Sequence, residues 1–151
     1  MAQFHFRLDS LLKLREADRE QRRIELAEAF RADKVLKEQG VKLRRHLQSL
    51  EKQSRDISSP GRVRVDQVLE NHRYKLMLRS DVMMLGQKQS QLQTEIDRRR
   101  EALAKADRDV RLLEKLRERK KDEHDAAELK RELQQMDEVA TQRWSREREQ
   151  N

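Results

Sequence analysis

Between Leu78 and Ala127, apolar or small side chains recur at alternating spacings of four and three residues, the pattern that winds one helix around another. Leu78, Val82, Leu85, Leu92, Ile96, Leu103, Ala106, Val110 and Leu113 fall on this seam. Gln89 and Arg99 interrupt it, and past Leu113 it fades through Arg117, Lys120 and His124 before Ala127. An average period of about 3.5 residues keeps such a stripe facing a left-handedly supercoiling neighbour, and its narrowness asks for one partner helix.

The partner is expected within the same chain. From Ala29 a second seam runs through Leu36, Leu43, Leu47, Leu50 and Ile57, with Asp33, Gly40 and Ser54 in its remaining slots. Gly40 costs about 1 kcal/mol of helix propensity relative to alanine, so it marks either a close approach of two helices or a soft spot. Between the seams, Ser58-Ser59-Pro60-Gly61 is the one clear breaker; Arg62-Val63-Arg64-Val65 follow, then Asp66, a candidate N-cap. At the other end, Asp9 or Ser10 is a candidate cap for the first helix.

These signals predict an all-α chain, two long helices forming an antiparallel coiled-coil hairpin with unequal arms. Helix one is expected over about 5–57, the turn over about 58–65 and helix two over about 66–148, in a single extended domain spanning 1–151. At 1.5 Å per residue the helices would be roughly 80 and 120 Å long.

Disorder is the competing reading, because 43% of residues are charged and only 34% are hydrophobic. Enrichment in Leu, Glu, Lys, Arg, Gln and Ala with a sustained helical period favours helices, and three glycines with one proline leave few places to turn. No cysteine is present, which fits a reducing compartment. Arg7, Asp9, Lys13 and Arg15 break up the start of the chain and no segment reads as a membrane span, so a cytoplasmic location is expected.

The residues offer little for catalysis. His5, His46, His72 and His124 are dispersed, and Asp122-Glu123-His124-Asp125 point around a helix instead of converging on a metal. No phosphate-cradling glycine loop or nucleophile elbow appears, so neither an enzyme nor a cofactor is expected. The net charge of +7 mixes both signs densely. Its most basic band, Arg98 to Lys121, holds eleven Lys and Arg against five Asp and Glu, yet lacks interleaved aromatics for base stacking. Nucleic acid is not the expected partner, although the band could dock on something acidic.

Apolar residues gather at both ends. Phe4, Phe6, Leu8, Leu11, Leu12 and Leu14 form a compact group near the start, and after it Ala17, Ile24, Leu26, Ala27 and Phe30 are spread among arginines. Near the other end, Ala126, Leu129, Leu133, Met136, Ala140 and Trp144 form a stripe displaced by about one residue from the main seam. A helix exposing Leu133, Met136 and Trp144 invites docking into another protein.

Three blocks of the chain resemble the flagellar export component FliJ family. They are the opening Phe4-His5-Phe6-Arg7-Leu8 with Leu11-Leu12-Lys13-Leu14-Arg15, then Leu113-Glu114-Lys115-Leu116-Arg117-Glu118-Arg119, then Met136-Asp137-Glu138-Val139-Ala140. The resemblance implies a stalk-like antiparallel coiled coil that is not itself an enzyme. It implies binding to the hexameric flagellar export ATPase, contact with the cytoplasmic domain of the export gate, and contact with substrate-specific export chaperones. Any membrane contact would be indirect, through the apparatus at the inner membrane face of the flagellar base. Carried onto this sequence, the ATPase contact falls on Phe4, Phe6, Leu8, Leu11, Leu12, Leu133, Met136 and Val139. The gate contact, an aromatic followed by positions four, seven and eleven further on, falls on Tyr74, Leu78, Asp81 and Leu85, with Asp81 where the family has a small apolar residue. Trp144 is a further docking candidate. The alternative is a self-associating coiled-coil adaptor and, behind it, a basic nucleic-acid-binding coiled coil.

Overall fold

The computed structural model describes residues 3–58, 60–61 and 63–149. Two helices carry the chain, α1 over Asp9–Ile57 and α2 over Val65–Glu149. No strand occurs among the described residues, and no helix among them is long and apolar enough to cross a membrane. The all-α helical hairpin expected from the two seams is the fold.

Both helix starts differ in detail from the expected caps. The Leu8 carbonyl accepts a hydrogen bond from the Leu12 N–H at 2.9 Å, and the Arg64 carbonyl accepts one from the Val68 N–H at 3.1 Å. Leu8 and Arg64 therefore stand at the cap positions, and Asp9 and Asp66 lie inside the first turns. There their carboxylates favour the positive end of the helix dipole instead of capping it. Residues 3–8 precede α1, although helix was expected from about residue 5. At the other end of α1 the Ser58 N–H donates to the Ser54 carbonyl at 3.1 Å. Ser59 and Arg62, part of the expected turn, lie outside the described residues.

The chain divides into two compact units, Gln21–Ala104 and Met1–Glu20 with Lys105–Asn151. In the first, which holds the turn, Ala29, Gly40 and Leu50 of α1 and Leu78, Leu85 and Ile96 of α2 are buried. Leu36, Leu43, Leu47, Val82 and Leu92 are half-buried around them. Burying a leucine or isoleucine contributes on the order of 1.5–3 kcal/mol, so this narrow seam holds the unit together. Arg99, an interruption in the sequence pattern, is put to use. It donates to the main-chain carbonyl of Glu25 on α1 while pairing with Glu95 at 2.9 Å on its own helix. Phe30 stays exposed on α1, with the Arg100 guanidinium 5.3 Å from its ring centre. α2 runs unbroken through Gly86, which has an ordinary helical backbone.

In the second unit the core is smaller. Phe6, Leu12, Ala106 and Val110 are buried, Val110 completely. Arg15 pairs with Asp109 at 3.8 Å and Arg19 with Asp107 at 3.4 Å, so partly exposed ion pairs flank the small apolar contact at Ala106 and Val110. Ala127, where the sequence pattern returned to the seam, is exposed. Leu113 and His124, both slots of the seam, are half-buried, as is Leu116 beside it.

Candidate functional site

The described residues of the two helices offer two surfaces where apolar side chains gather. The first is built by residues 3–8. Alternating aromatics in a short segment ahead of a helix let one side of the segment pack, and Phe6 is buried while Phe4 is half-buried. The Phe4 ring meets the edge of His124 on α2 with centres 5.6 Å apart, and a shallow groove beside it is lined by Leu8, Leu116, Lys120 and Glu123. The Asp9 N–H donates to the Phe6 carbonyl at 3.1 Å, which fastens the segment to the start of α1. Charge frames the groove. A hydrogen bond from Lys120 Nζ to Glu123 Oε2 at 2.7 Å, helped by Arg119, holds the Glu123 carboxyl below its ordinary pKa. Likewise Lys13, 3.0 Å from Asp9, lowers the Asp9 carboxyl.

The second surface lies further along α2. Leu129, Leu133, Met136, Val139 and Trp144 are all exposed, Trp144 at 63%, and the Arg148 guanidinium sits 4.6 Å from the indole ring centre. At 100° per residue Leu129, Leu133, Met136, Ala140 and Trp144 share one stripe, with Val139 at its edge. A shallow apolar groove runs along it past Met136, Val139, Ala140 and Trp144.

The eight residues assigned to the ATPase contact thus form two groups. Phe4, Phe6 and Leu8 gather with residues 116–124 of α2, Phe6 inside; Leu12 is buried in the first turn of α1, and Leu11 is exposed. Leu133, Met136 and Val139 are on open helix, and His124 to Leu133 is roughly 13 Å of helix.

The four residues assigned to the gate contact are also divided. Leu78 and Leu85, 3% and 8% exposed, are in the seam against α1. Tyr74 and Asp81 are exposed but lie within about 60° of Leu78 by helical phase, at the edge of the seam, and the Tyr74 and His46 rings meet edge to face at 5.4 Å. An outward stripe escaped the sequence reading. Leu69, Leu76 and Met83, seven residues apart, are exposed on the side of α2 away from Leu78 and Leu85. Their spacing was a usable signal, but the same helix carries a stronger stripe of the same period, which absorbed it.

No group of three or more potential metal ligands occurs among the described residues. Of the Asp122–Asp125 run, Glu123 is paired with Lys120 and Arg119, and His124 lies 3.4 Å from Asp125.

The model of the family described as "Flagellar FliJ protein" matches residues 4–149, nearly the whole chain. The chain belongs to the FliJ family. The FliJ match takes in both helices, the Phe4–Leu12 segment and the open stripe of α2. FliJ proteins are non-catalytic components of flagellar export, so membership implies an export-related role. No curated protein and no solved structure matched the chain.

Proposed function

We propose that the chain is the stalk-like component that binds the hexameric flagellar export ATPase, promotes its assembly and activity, and links it to the export gate and to substrate chaperones. It works as a single domain on the cytoplasmic side of the flagellar base. The observation that supports this reading is the open apolar stripe Leu129–Trp144, beside an aromatic segment fastened at residues 116–124. A helix that leaves leucine, methionine and tryptophan in water gains by laying them in another protein's groove. The ATPase contact is assigned to the Leu133, Met136, Val139 and Trp144 face, with Phe4, Leu8 and Leu11 at its margin and Phe6 and Leu12 supporting from inside.

For the gate, Tyr74 and Asp81 remain available, and Leu69, Leu76 and Met83 offer the larger apolar contact. Leu78 and Leu85 support that region by packing against α1. An asymmetric helical pair meeting six similar subunits presents each with a different surface, which biases their assembly or nucleotide state by contact.

ATP turnover and hexamer formation of the export ATPase, measured with and without the chain, test this. Stimulation should be lost in the triple substitution Leu133→Ser, Met136→Ser, Trp144→Ala and kept in Leu76→Ser, Met83→Ser, which should instead weaken gate binding. No stimulation by the intact chain would overturn the reading. The heptad-like spacing of the same stripe favours a second reading, self-association as an adaptor, which predicts concentration-dependent sedimentation without ATPase binding.

A further inference from the structure

The basic band resolves into something narrower on α2. At 100° per residue, Lys105, Arg108, Leu112, Lys115 and Arg119 fall within an arc of about 80° and run for roughly 21 Å, with Arg111 at its margin. Ala106 and Val110, buried against α1, lie on the opposite side of the helix, so the stripe faces outward. All its members are exposed, and Leu112 at its centre is 67% exposed.

The acidic residues are sorted away from this face. Between Lys105 and Arg119, α2 carries Asp107, Asp109, Glu114 and Glu118. Asp107 and Asp109 reach toward α1, where they meet Arg19 and Arg15. Glu114 and Glu118 lie to one flank by helical phase. Asp107 also takes up Arg111 at 2.9 Å, and Glu123 takes up Arg119 at 3.2 Å. Lys105, Arg108 and Lys115 have no ion-pair partner among the described residues. The two charges drawn inward leave a face of one sign over this stretch, which Glu101 and Glu123 close at its two ends by helical phase.

We infer that this stripe is a docking surface for an anionic phospholipid bilayer, with Lys105, Arg108, Lys115 and Arg119 on headgroups and Leu112 entering the acyl boundary. Charge complementarity chooses this occupant. A partner helix reading the same spacing of three and four would find cations in four of five seam slots and one leucine, so it could build no apolar seam. Exposed ion pairs alone would then have to hold it, and these contribute little. A bilayer demands no matching register. Long lysine and arginine stems can spread around a shallowly inserted Leu112 while their heads stay in the headgroup layer. Nucleic acid is less well served, since no aromatic residue lies between Lys105 and Arg119 for bases to stack on. This inference does not depend on the ATPase or gate contacts.

Co-sedimentation of the full chain with vesicles of phosphatidylglycerol and phosphatidylethanolamine, against phosphatidylcholine alone, tests it. Binding should appear only on the anionic vesicles. Each stripe cation contributes about fivefold, so Lys105→Gln, Arg108→Gln, Lys115→Gln together should weaken it on the order of 100-fold. A control with the same charge removed elsewhere, Lys34→Gln, Lys42→Gln, Arg45→Gln, should retain most of it, with helicity of both variants checked by circular dichroism. Leu112→Asn should weaken binding in vesicles while leaving the salt dependence intact. Equal losses in the two triple variants would show only diffuse charge and overturn the proposal, as would no binding to anionic vesicles. Equally tight, stripe-dependent binding to a DNA duplex at the same salt would also overturn it, by making the stripe a general polyanion surface.

Discussion

Gly40 of α1 faces Leu85 of α2 so closely that a β-carbon built on the glycine would lie 3.3 Å from Leu85 Cδ2, with Gln89 Nε2 at 3.9 Å. The glycine on the seam is therefore a close-approach point. The obstructing atom is a terminal methyl that can yield by a few tenths of an ångström, so alanine should be accommodated. Gly40→Ala is expected to stabilise the chain by up to about 1 kcal/mol, the helix-propensity gain less a small packing cost. Gly40→Val, which cannot be absorbed by one methyl, should destabilise by about 1–3 kcal/mol. Urea unfolding of the two variants against the parent chain measures both signs.

Gly86 makes the complementary case. It lies inside α2 with nothing within 4 Å of its missing β-carbon. Gly86→Ala should therefore recover about 1 kcal/mol with no packing penalty. A thermal melt with unchanged or lower midpoint would mean that the residue is needed for something other than helix continuity.

Arg19 and Asp107 are partly buried partners whose substitutions should not cost the same. Arg19 Nε is buried with no hydrogen-bond partner, whereas Asp107 also holds Arg111 at 2.9 Å. Asp107→Ala leaves the Arg19 cation beside an apolar contact and should cost about 1–2 kcal/mol, less than a fully buried pair because both groups keep some solvent. Arg19→Met leaves Asp107 paired and should be neutral or slightly stabilising. Reversal of this order in denaturant unfolding would show that the Arg19–Asp107 pair contributes mainly through Arg19.

Acid should act at Glu123. Its folded pKa is lowered, chiefly by the hydrogen bond from Lys120. A lowered carboxyl binds its proton more weakly when folded than when unfolded. Its contribution to stability is thus full above the ordinary carboxylate value and is lost as pH falls through the lowered one. Titration of the Glu123 carboxyl by nuclear magnetic resonance should give a value below that of an unperturbed glutamate, and Lys120→Met should raise it.

Much of the fold was legible because a heptad stripe is a one-dimensional signal. Leu78, Leu85, Ile96, Ala106 and Val110 lie where the four-three spacing put them, and the breaker at Pro60-Gly61 falls between the helices. The candidate surfaces were less legible. Leu78 and Leu85 were given to a partner and to the seam at once, and burial gives them to the seam. Leu69, Leu76 and Met83 have the same period, and periodicity alone does not say which of two stripes faces inward.

By itself the sequence determined the helices, their turn, the main seam and the presence of apolar groups near both ends, because these follow from local propensity and side-chain period. Only the tertiary structure decided that Arg99 bridges to the Glu25 carbonyl, that Phe6 goes inside while Trp144 stays out, and that Asp107 and Asp109 turn inward. Each of these depends on which residues of α1 stand opposite which residues of α2. That pairing is set by the packing of the two helices against each other, and no window of one helix contains it.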